Sequence, residues 1–338
     1  MRSILKISNL LLLSVITLLS KGQDIHFSQY LNNPLSYNPS NTGKFDGDWR
    51  FIANYRDQWR AISIPFTTYS ASFDRQFYYK NRHLSAGVFV LSDQSGDIAL
   101  KSNQIYVSGA YHMEYNKNFF DYGVQLGYVM KRIDYGSISF PDQWDQVSGY
   151  FNPELQTDAL IQKDHLGYLD MNVGAAWHKK IRIFEPEVGV SLSHVNLPRE
   201  TFFNDKGRLP MRRTIHGALN TEIMPNLHLK PGFLFLSMRG ANDFVLGTEI
   251  GYGITGNRFN INEIQGGVFW RNGIIDVSDA MVFSLGAQVS NWAFNVSYDF
   301  NVSPLNKFTN HRGAFEISFV YKSISTIIKK FTIPCERI

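Results

Sequence analysis

From Trp49 onward, apolar side chains return at every second position in run after run. Met281, Phe283, Leu285, Ala287 and Val289 alternate with Val282, Ser284, Gly286, Gln288 and Ser290. Trp292, Phe294, Val296, Tyr298 and Phe300 then oppose Ala293, Asn295, Ser297, Asp299 and Asn301. Earlier, Tyr122, Val124, Leu126, Tyr128 and Met130 oppose Gly123, Gln125, Gly127, Val129 and Lys131. A period of two marks strands whose faces meet different surroundings, and helical spacing fits none of these runs. One face is aromatic and aliphatic, the other small or polar, as between lipid and a polar lumen.

The pattern predicts an all-β fold, a transmembrane antiparallel up-and-down β-barrel of about fourteen strands, an even number as in single-chain bacterial barrels. The expected spans are 49–56, 67–77, 84–92, 102–114, 119–132, 165–178, 184–194, 212–223, 227–238, 243–255, 259–270, 280–290, 292–301 and 312–322. Most have roughly the nine to eleven residues that a tilted spanning strand needs. Connection lengths add an independent signal, because such barrels alternate long outer loops with short periplasmic turns. Segments 57–66, 92–101, 133–164, 195–211, 272–279 and 302–311 read as outer loops. Segments 78–83, 115–118, 179–183, 224–226, 256–258 and 290–291 read as inner turns. The short 239–242 connection alone breaks the rhythm.

Before the first strand, residues 23–48 are rich in Asn and Pro and have no period, so they form an irregular lead-in. A barrel wall needs no such prelude, and its backbone groups require partners in the lumen or at the periplasmic rim. Residues 1–22 carry Arg2 and Lys6, the apolar run 10–19 and a small-residue exit, which reads as a secretory signal peptide. Residues 323–338 follow the last strand as a tail expected in the periplasm.

The remaining composition narrows the chemistry. The only cysteine is Cys335, so no internal disulfide supports the fold. A net charge of +4 is too small to point to nucleic acid. The nine histidines stand singly, without metal-ligand spacing. No GxSxG elbow or glycine-rich phosphate loop is present, and no cofactor or metal is expected. The register turns Arg56, Asp74, His112, Glu114, Gln125, Lys131, Asp170, Asn172, Glu249, Asp299 and Glu316 inward. Mixed signs favour a lumen crossed by ion pairs, or plugged, over a one-sign channel. A barrel lipase assembled from Ser108, His112, His178 and Asp170, all inward-facing, stays open at this point, as does a solute-conducting barrel of the porin or hydrophobic-transporter class.

Specific residues then carry a resemblance. Asp24, His26, Phe27, Ser28, Gln29, Tyr30, Asn33-Pro34-Leu35, Asn38-Pro39 and Thr42-Gly43 open the pattern. Asn54-Tyr55-Arg56, Gln58-Trp59, Ile62 and the run from Pro65-Phe66 to Asp74 continue it. Asp142-Gln143, Phe269-Trp270-Arg271, Asp279-Ala280, Tyr298-Asp299, Gly313 to Glu316 and Pro334-Cys335 complete it. The chain resembles the PorP/SprF family of type IX secretion system outer-membrane proteins. The resemblance implies a non-enzymatic part in protein secretion and gliding motility. Its implied partners are a secreted adhesin bearing a C-terminal sorting domain, other type IX secretion and gliding components, and outer-membrane lipid. The expected partner-binding or plug residues are His26, Phe27, Gln29, Tyr30, Asn33, Pro34, Asn38, Pro39 and Arg56 below, and Gln58, Trp59, Pro65, Phe66, Asp142, Gln143 and Trp144 above.

Overall fold

The computed structural model describes residues 24–60, 64–80, 82–96, 100–134, 141–152, 154–155, 163–202, 206–256, 260–272, 278–304 and 306–326. The signal segment and most of the C-terminal tail, with Cys335, lie outside them. The strands are β1 (Trp49–Gln58), β2 (Phe66–Tyr79), β3 (Arg82–Ser95), β4 (Leu100–Tyr115), β5 (Asn118–Arg132), β6 (Trp144–Asp145), β7 (Tyr150–Phe151) and β8 (His165–Lys179). They continue with β9 (Phe184–Ser193), β10 (Arg212–Met224), β11 (Leu227–Met238), β12 (Ala241–Gly253), β13 (Ile261–Asn272), β14 (Ser278–Val289), β15 (Trp292–Asn301) and β16 (Arg312–Lys322). All but β6 and β7 form one closed antiparallel barrel of fourteen strands, sealed where Arg50–Gln58 of β1 pairs with Lys322–Ala314 of β16. The remaining two form a small ribbon in the connection between β5 and β8.

Burial follows the period-two pattern. Val282, Asp299 and Glu316 are sealed inside, whereas Phe283, Phe294, Leu285 and Ile317 stand exposed on the outside. This apolar exterior is what lipid requires. Each expected strand is present, with shifted ends. Strands β2 to β5 and β8 run beyond their predicted spans, because their ladders continue past the apolar alternation. Strands β12 and β13 sit about two residues from the expected positions. For β12 the cause is the turn at Arg239-Gly240, whose φ angles of +46° and +77° close the β11–β12 hairpin in two residues. The connection that broke the loop rhythm is thus a tight outer turn. Glu114 also departs from expectation: it lies exposed near the inner rim.

Residues 24–48 occupy the inside of the ring. Asn33-Pro34 and Asn38-Pro39 each start a short 3-10 turn, Pro34–Ser36 and Pro39–Asn41, in which proline supplies the fixed φ of the first position. The Asn38 carboxamide accepts from the Ser40 N–H at 2.9 Å and caps the second turn. The segment begins against His194 and Arg212, at the outer ends of β9 and β10. It ends at the inner rim, where the Asp48 N–H meets Ser323 and its carboxylate meets Thr326. The lead-in therefore runs the length of the lumen.

Two apolar clusters hold it to opposite walls. Phe27 and Leu35 pack with Phe89, Leu91, Tyr106, Val129 and Tyr168. Tyr30 and Tyr37 pack with Leu234, Leu236, Val245, Phe269 and Val282. Burial of each large side chain contributes about 1.5–3 kcal/mol. Between the clusters the wall is cut back to glycine. A Cβ on Gly123 would lie 2.3 Å from the Pro39 carbonyl carbon and the Ser40 nitrogen, and one on Gly174 would lie 2.0 Å from the Asn38 carboxamide oxygen. At Gly123 backbone meets backbone, so relaxation there has no side-chain rotation to draw on. Gly123→Val is expected to leave a barrel that still shifts on heating in gel electrophoresis while exposing residues 24–45 to protease. Wild-type protection of that segment in the variant would contradict the seating described here.

Candidate functional site

The densest polar site surrounds Ser28, where the lead-in crosses β1, β13, β15 and β16. Arg56, Arg271, Asp299 and Glu316 project from these strands and are each at most 3% exposed. Two positive and two negative groups balance, which is the condition for keeping charge in a low-dielectric interior. The lead-in supplies what the wall lacks. The Ser28 and Gln29 backbone N–H groups donate to the two Glu316 carboxylate oxygens at 2.7 and 2.8 Å. The Ser28 hydroxyl donates to Asp299 Oδ2 at 2.7 Å and accepts from Arg56 Nη1 and Arg271 Nη1 at 2.7 and 2.8 Å. One hydroxyl thereby uses its single proton and both lone pairs. Arg56 also contacts Glu316 directly, and Arg271 holds Asp299 at 2.9 Å and Asp279 at 2.8 Å. Gln29 extends the site to the Ser297 hydroxyl at 2.9 Å.

Further stations repeat the arrangement around the ring. Arg50 and Asp74 pair at 2.7 Å, while Asp74 accepts the Gly43 N–H and Arg50 donates to the Asn41 carbonyl. Asn38 Nδ2 lies 2.9 Å from His216 Nε2. Lys44 bridges Glu187 at 2.7 Å and Asp121 at 3.5 Å. Asp24 contacts Arg212 Nη1 at 2.9 Å and His194 Nε2 at 2.8 Å, and the other His194 nitrogen faces Asp170 at 2.9 Å. Burial alone would raise the Asp24 carboxyl, but Arg212 and His194 outweigh it and hold it below the usual carboxylate range. Burial would likewise depress His194, yet Asp24 and Asp170 push it up to about 9.

One station has the distances of a hydrolase triad. Ser85 Oγ lies 3.0 Å from His112 Nε2, and His112 Nδ1 lies 2.7 Å from Asp121 Oδ1. The arrangement is a clamp. His112 Nε2 is also 3.1 Å from the Thr42 carbonyl, and a Cβ on Gly43 would fall 1.9 Å from the serine hydroxyl. No acyl group fits between them. The sequence-derived lipase set is dispersed as well: His112 and His178 both bind Asp121, Asp170 binds Tyr106 and His194, and the Ser108 hydroxyl has no hydrogen-bond partner among the described residues.

Of the expected site residues, the lumen gathers His26, Phe27, Gln29, Tyr30, Asn33, Pro34, Asn38, Pro39 and Arg56 around the lead-in. His26 faces Asp243 at 3.7 Å, beyond hydrogen-bond reach. Gln58 accepts from Arg56 at 3.1 Å, linking the lumen to the outer end of β1. There Trp59 packs edge-on against Phe66, next to Pro65, and its N–H donates to the Gly313 carbonyl. Asp142, Gln143 and Trp144 sit apart, at the β6–β7 ribbon, where Trp144 packs on Phe151 and Gln143 donates to the Leu155 carbonyl. Sequence reasoning missed Asp121, Glu187, His194 and Arg212 as wall partners of Asp24 and Lys44 in the lead-in. An inward parity was their only signal.

Ser28→Ala is expected to cost about 2–5 kcal/mol, since three charged groups each lose a buried partner. Urea denaturation with a tryptophan-fluorescence readout measures it, and an unchanged midpoint would contradict the role of the hydroxyl. The His194 contact gives a pH dependence of fixed sign. Its folded-state pKa lies above the ordinary 6.5, so its stabilisation is complete below about 6.5 and is lost as pH rises through about 9. N-terminal protease resistance should fall between pH 7 and 10 in the wild type, with His194→Gln flat over that range. Equal slopes in both would refute the assignment.

A family model described as type IX secretion system membrane protein PorP/SprF matches residues 19–321. No curated protein matches. Among solved structures, the toluene transporter TbuX of Ralstonia pickettii is similar at a TM-score of 0.52 and 8% identity, with 86% of this chain and 94% of that chain covered. The toluene transporter TodX of Pseudomonas putida is similar at 0.49 and 10% identity, covering 88% and 93%. At these identities the likeness is one of fold. A closed fourteen-stranded ring with an apolar exterior is, accordingly, an outer-membrane β-barrel. Because the family match takes in the whole lead-in and the barrel wall as far as Tyr321, the chain belongs to the PorP/SprF family of type IX secretion system membrane proteins.

Proposed function

We propose that this barrel is a non-enzymatic component of type IX secretion and gliding motility. It binds a secreted adhesin through the adhesin's C-terminal sorting domain and helps to export it or hold it at the cell surface. The observation that carries this reading is a family match over lead-in and barrel alike, in a chain whose lumen is given to its own residues 24–48. A barrel filled by a pinned segment acts through its rims and faces. At the outer end, Trp59, Pro65 and Phe66 and the ribbon carrying Asp142, Gln143 and Trp144 are the residues offered to the adhesin. The inner rim, where Asp48 and Thr326 meet, is offered to the other secretion components.

Solute conduction is the competing reading, and the barrel neighbours named above are transporters. Against it stands the chemistry of the space that remains. A cavity of about 300 Å³ lies between the lead-in and the inner ends of β11 to β16, lined by Lys230, Glu249, Gln265 and Lys322 among others. Mixed charge of this kind suits neither a hydrocarbon nor a solute of one sign.

Affinity purification of the tagged chain from its native membrane is expected to recover a secreted protein that ends in a sorting domain. The purified chain should give no steady conductance in a planar bilayer. Robust conductance with no such protein recovered would overturn the reading.

A further inference from the structure

The barrel wall drops abruptly between β8 and β9. Strand β8 pairs with β5 along its full length, His165–Lys179 against Arg132–Asn118. On its other side it pairs with β9 only over Val173–His178, because β9 ends at Ser193. The outer part of β8, from His165 to Asn172, therefore has an edge of about 25 Å at the ordinary rise per residue. Neighbouring strands do not show this step. On β2 to β5 the ladders run to the outer ends of both partners.

The described residues of the loop after β9 do not cover this edge. It folds inward as a small hairpin bridged at Arg199 and Arg208, and Glu200 takes the Tyr168 hydroxyl at 2.8 Å on the lumen side of β8. Among its described residues, the first ones touch the edge. The Val195 N–H donates to the Met171 carbonyl at 3.0 Å. The Asn196 carboxamide accepts from the Met171 N–H at 3.2 Å and donates to the Leu169 carbonyl at 2.7 Å. A side-chain amide thus imitates one more residue of strand and then stops. By the alternation of the ladder, the Leu169 N–H and both backbone groups of Gly167 point the same way. They have no hydrogen-bond partner among the described residues.

The surroundings make this edge unusual. Leu169 is 69% exposed on the outer face, and Met130 and Tyr128, across from Gly167 and Leu169 on β5, are exposed beside it. Unpaired backbone flanked by apolar side chains is the arrangement that closed barrels otherwise abolish. Its donors and acceptors repeat at strand spacing, so the chemistry that satisfies them is another extended polypeptide backbone. Apolar side chains on alternate positions of that segment would lie against Leu169 and Met130.

We propose that the outer edge of β8, residues 165–169, is a docking edge that takes one extended strand of the exported partner in antiparallel pairing. This rests on the functional reading above and gives its mode of contact: main-chain hydrogen bonds continue the ladder where Asn196 ends it.

Leu169→Pro removes a backbone donor that the barrel does not use, and proline is tolerated on an edge. The probe is the isolated C-terminal sorting domain of the secreted protein recovered with the wild-type chain. Its binding to the purified barrel is expected to weaken at least tenfold in Leu169→Pro and to stay within twofold in the control Leu246→Ala, on the outer face of β12. Heat-modifiable migration should persist in both variants. A photo-crosslinker replacing Leu169 should join the barrel to the domain. Full-strength binding by Leu169→Pro would overturn the docking edge and leave the functional reading standing. A wild-type barrel that binds no sorting domain would overturn both. Crosslinking of Leu169 to a second copy of the barrel, with the domain bound elsewhere, would assign the edge to self-association and refute the proposal.

Discussion

The structure depends on one electrostatic constraint: the lumen wall carries buried charge that it cannot satisfy alone. Arg56, Arg271, Asp299 and Glu316 are balanced in number, yet Ser28 and two successive backbone amides supply partners that the wall does not, and among the described residues Asp299 Oδ1 still has none. Removing one partner from a buried ionic set costs about 3–5 kcal/mol, more than such a set contributes when compared with an apolar core. The lead-in is therefore a structural complement of the wall. Its position follows from the wall's chemistry: two apolar clusters fix it laterally, a glycine recess admits Asn38-Pro39, and charged stations mark its course from Asp24 to Asp48.

This arrangement determines what the barrel can do. With the lead-in seated along the lumen, the function proposed above places the working surfaces at the rims and the outward wall. The apparent triad at Ser85, His112 and Asp121 shows how context decides chemistry, since the same distances serve a clamp once Thr42 and Gly43 cover them. The interruption of the wall at β8 belongs to the same logic. Polypeptide satisfies polypeptide inside the barrel, and the docking proposed for the outer edge of β8 uses the same main-chain chemistry outside.

Much of the fold was legible because strand alternation is a strong local signal. Met281 to Ser290 reads as a spanning strand without any knowledge of its neighbours, and the observed β14 inverts none of its faces. Boundaries were less legible. The shift of β12 stems from Arg239-Gly240, and an arginine carries little advance notice of a positive φ. The site was legible by parity but not by partnership. Arg56, Asp299 and Glu316 face inward by counting, whereas their meeting at Ser28 depends on ring closure between β1 and β16, which no local pattern encodes. Glycines 123 and 174 read as ordinary small inward residues. Their role appears only when Pro39 and Asn38 are seen against them.

The most direct test of the central claim is hydrogen–deuterium exchange of the lead-in amides in the intact, membrane-reconstituted protein. The Ser28 and Gln29 amides are bonded to Glu316 and the Gly43 amide to Asp74. Peptides covering 26–45 are expected to exchange as slowly as those from β15 and β16. Exchange of that segment at the rate of the exposed turn at 146–149 would contradict a lead-in locked within the lumen.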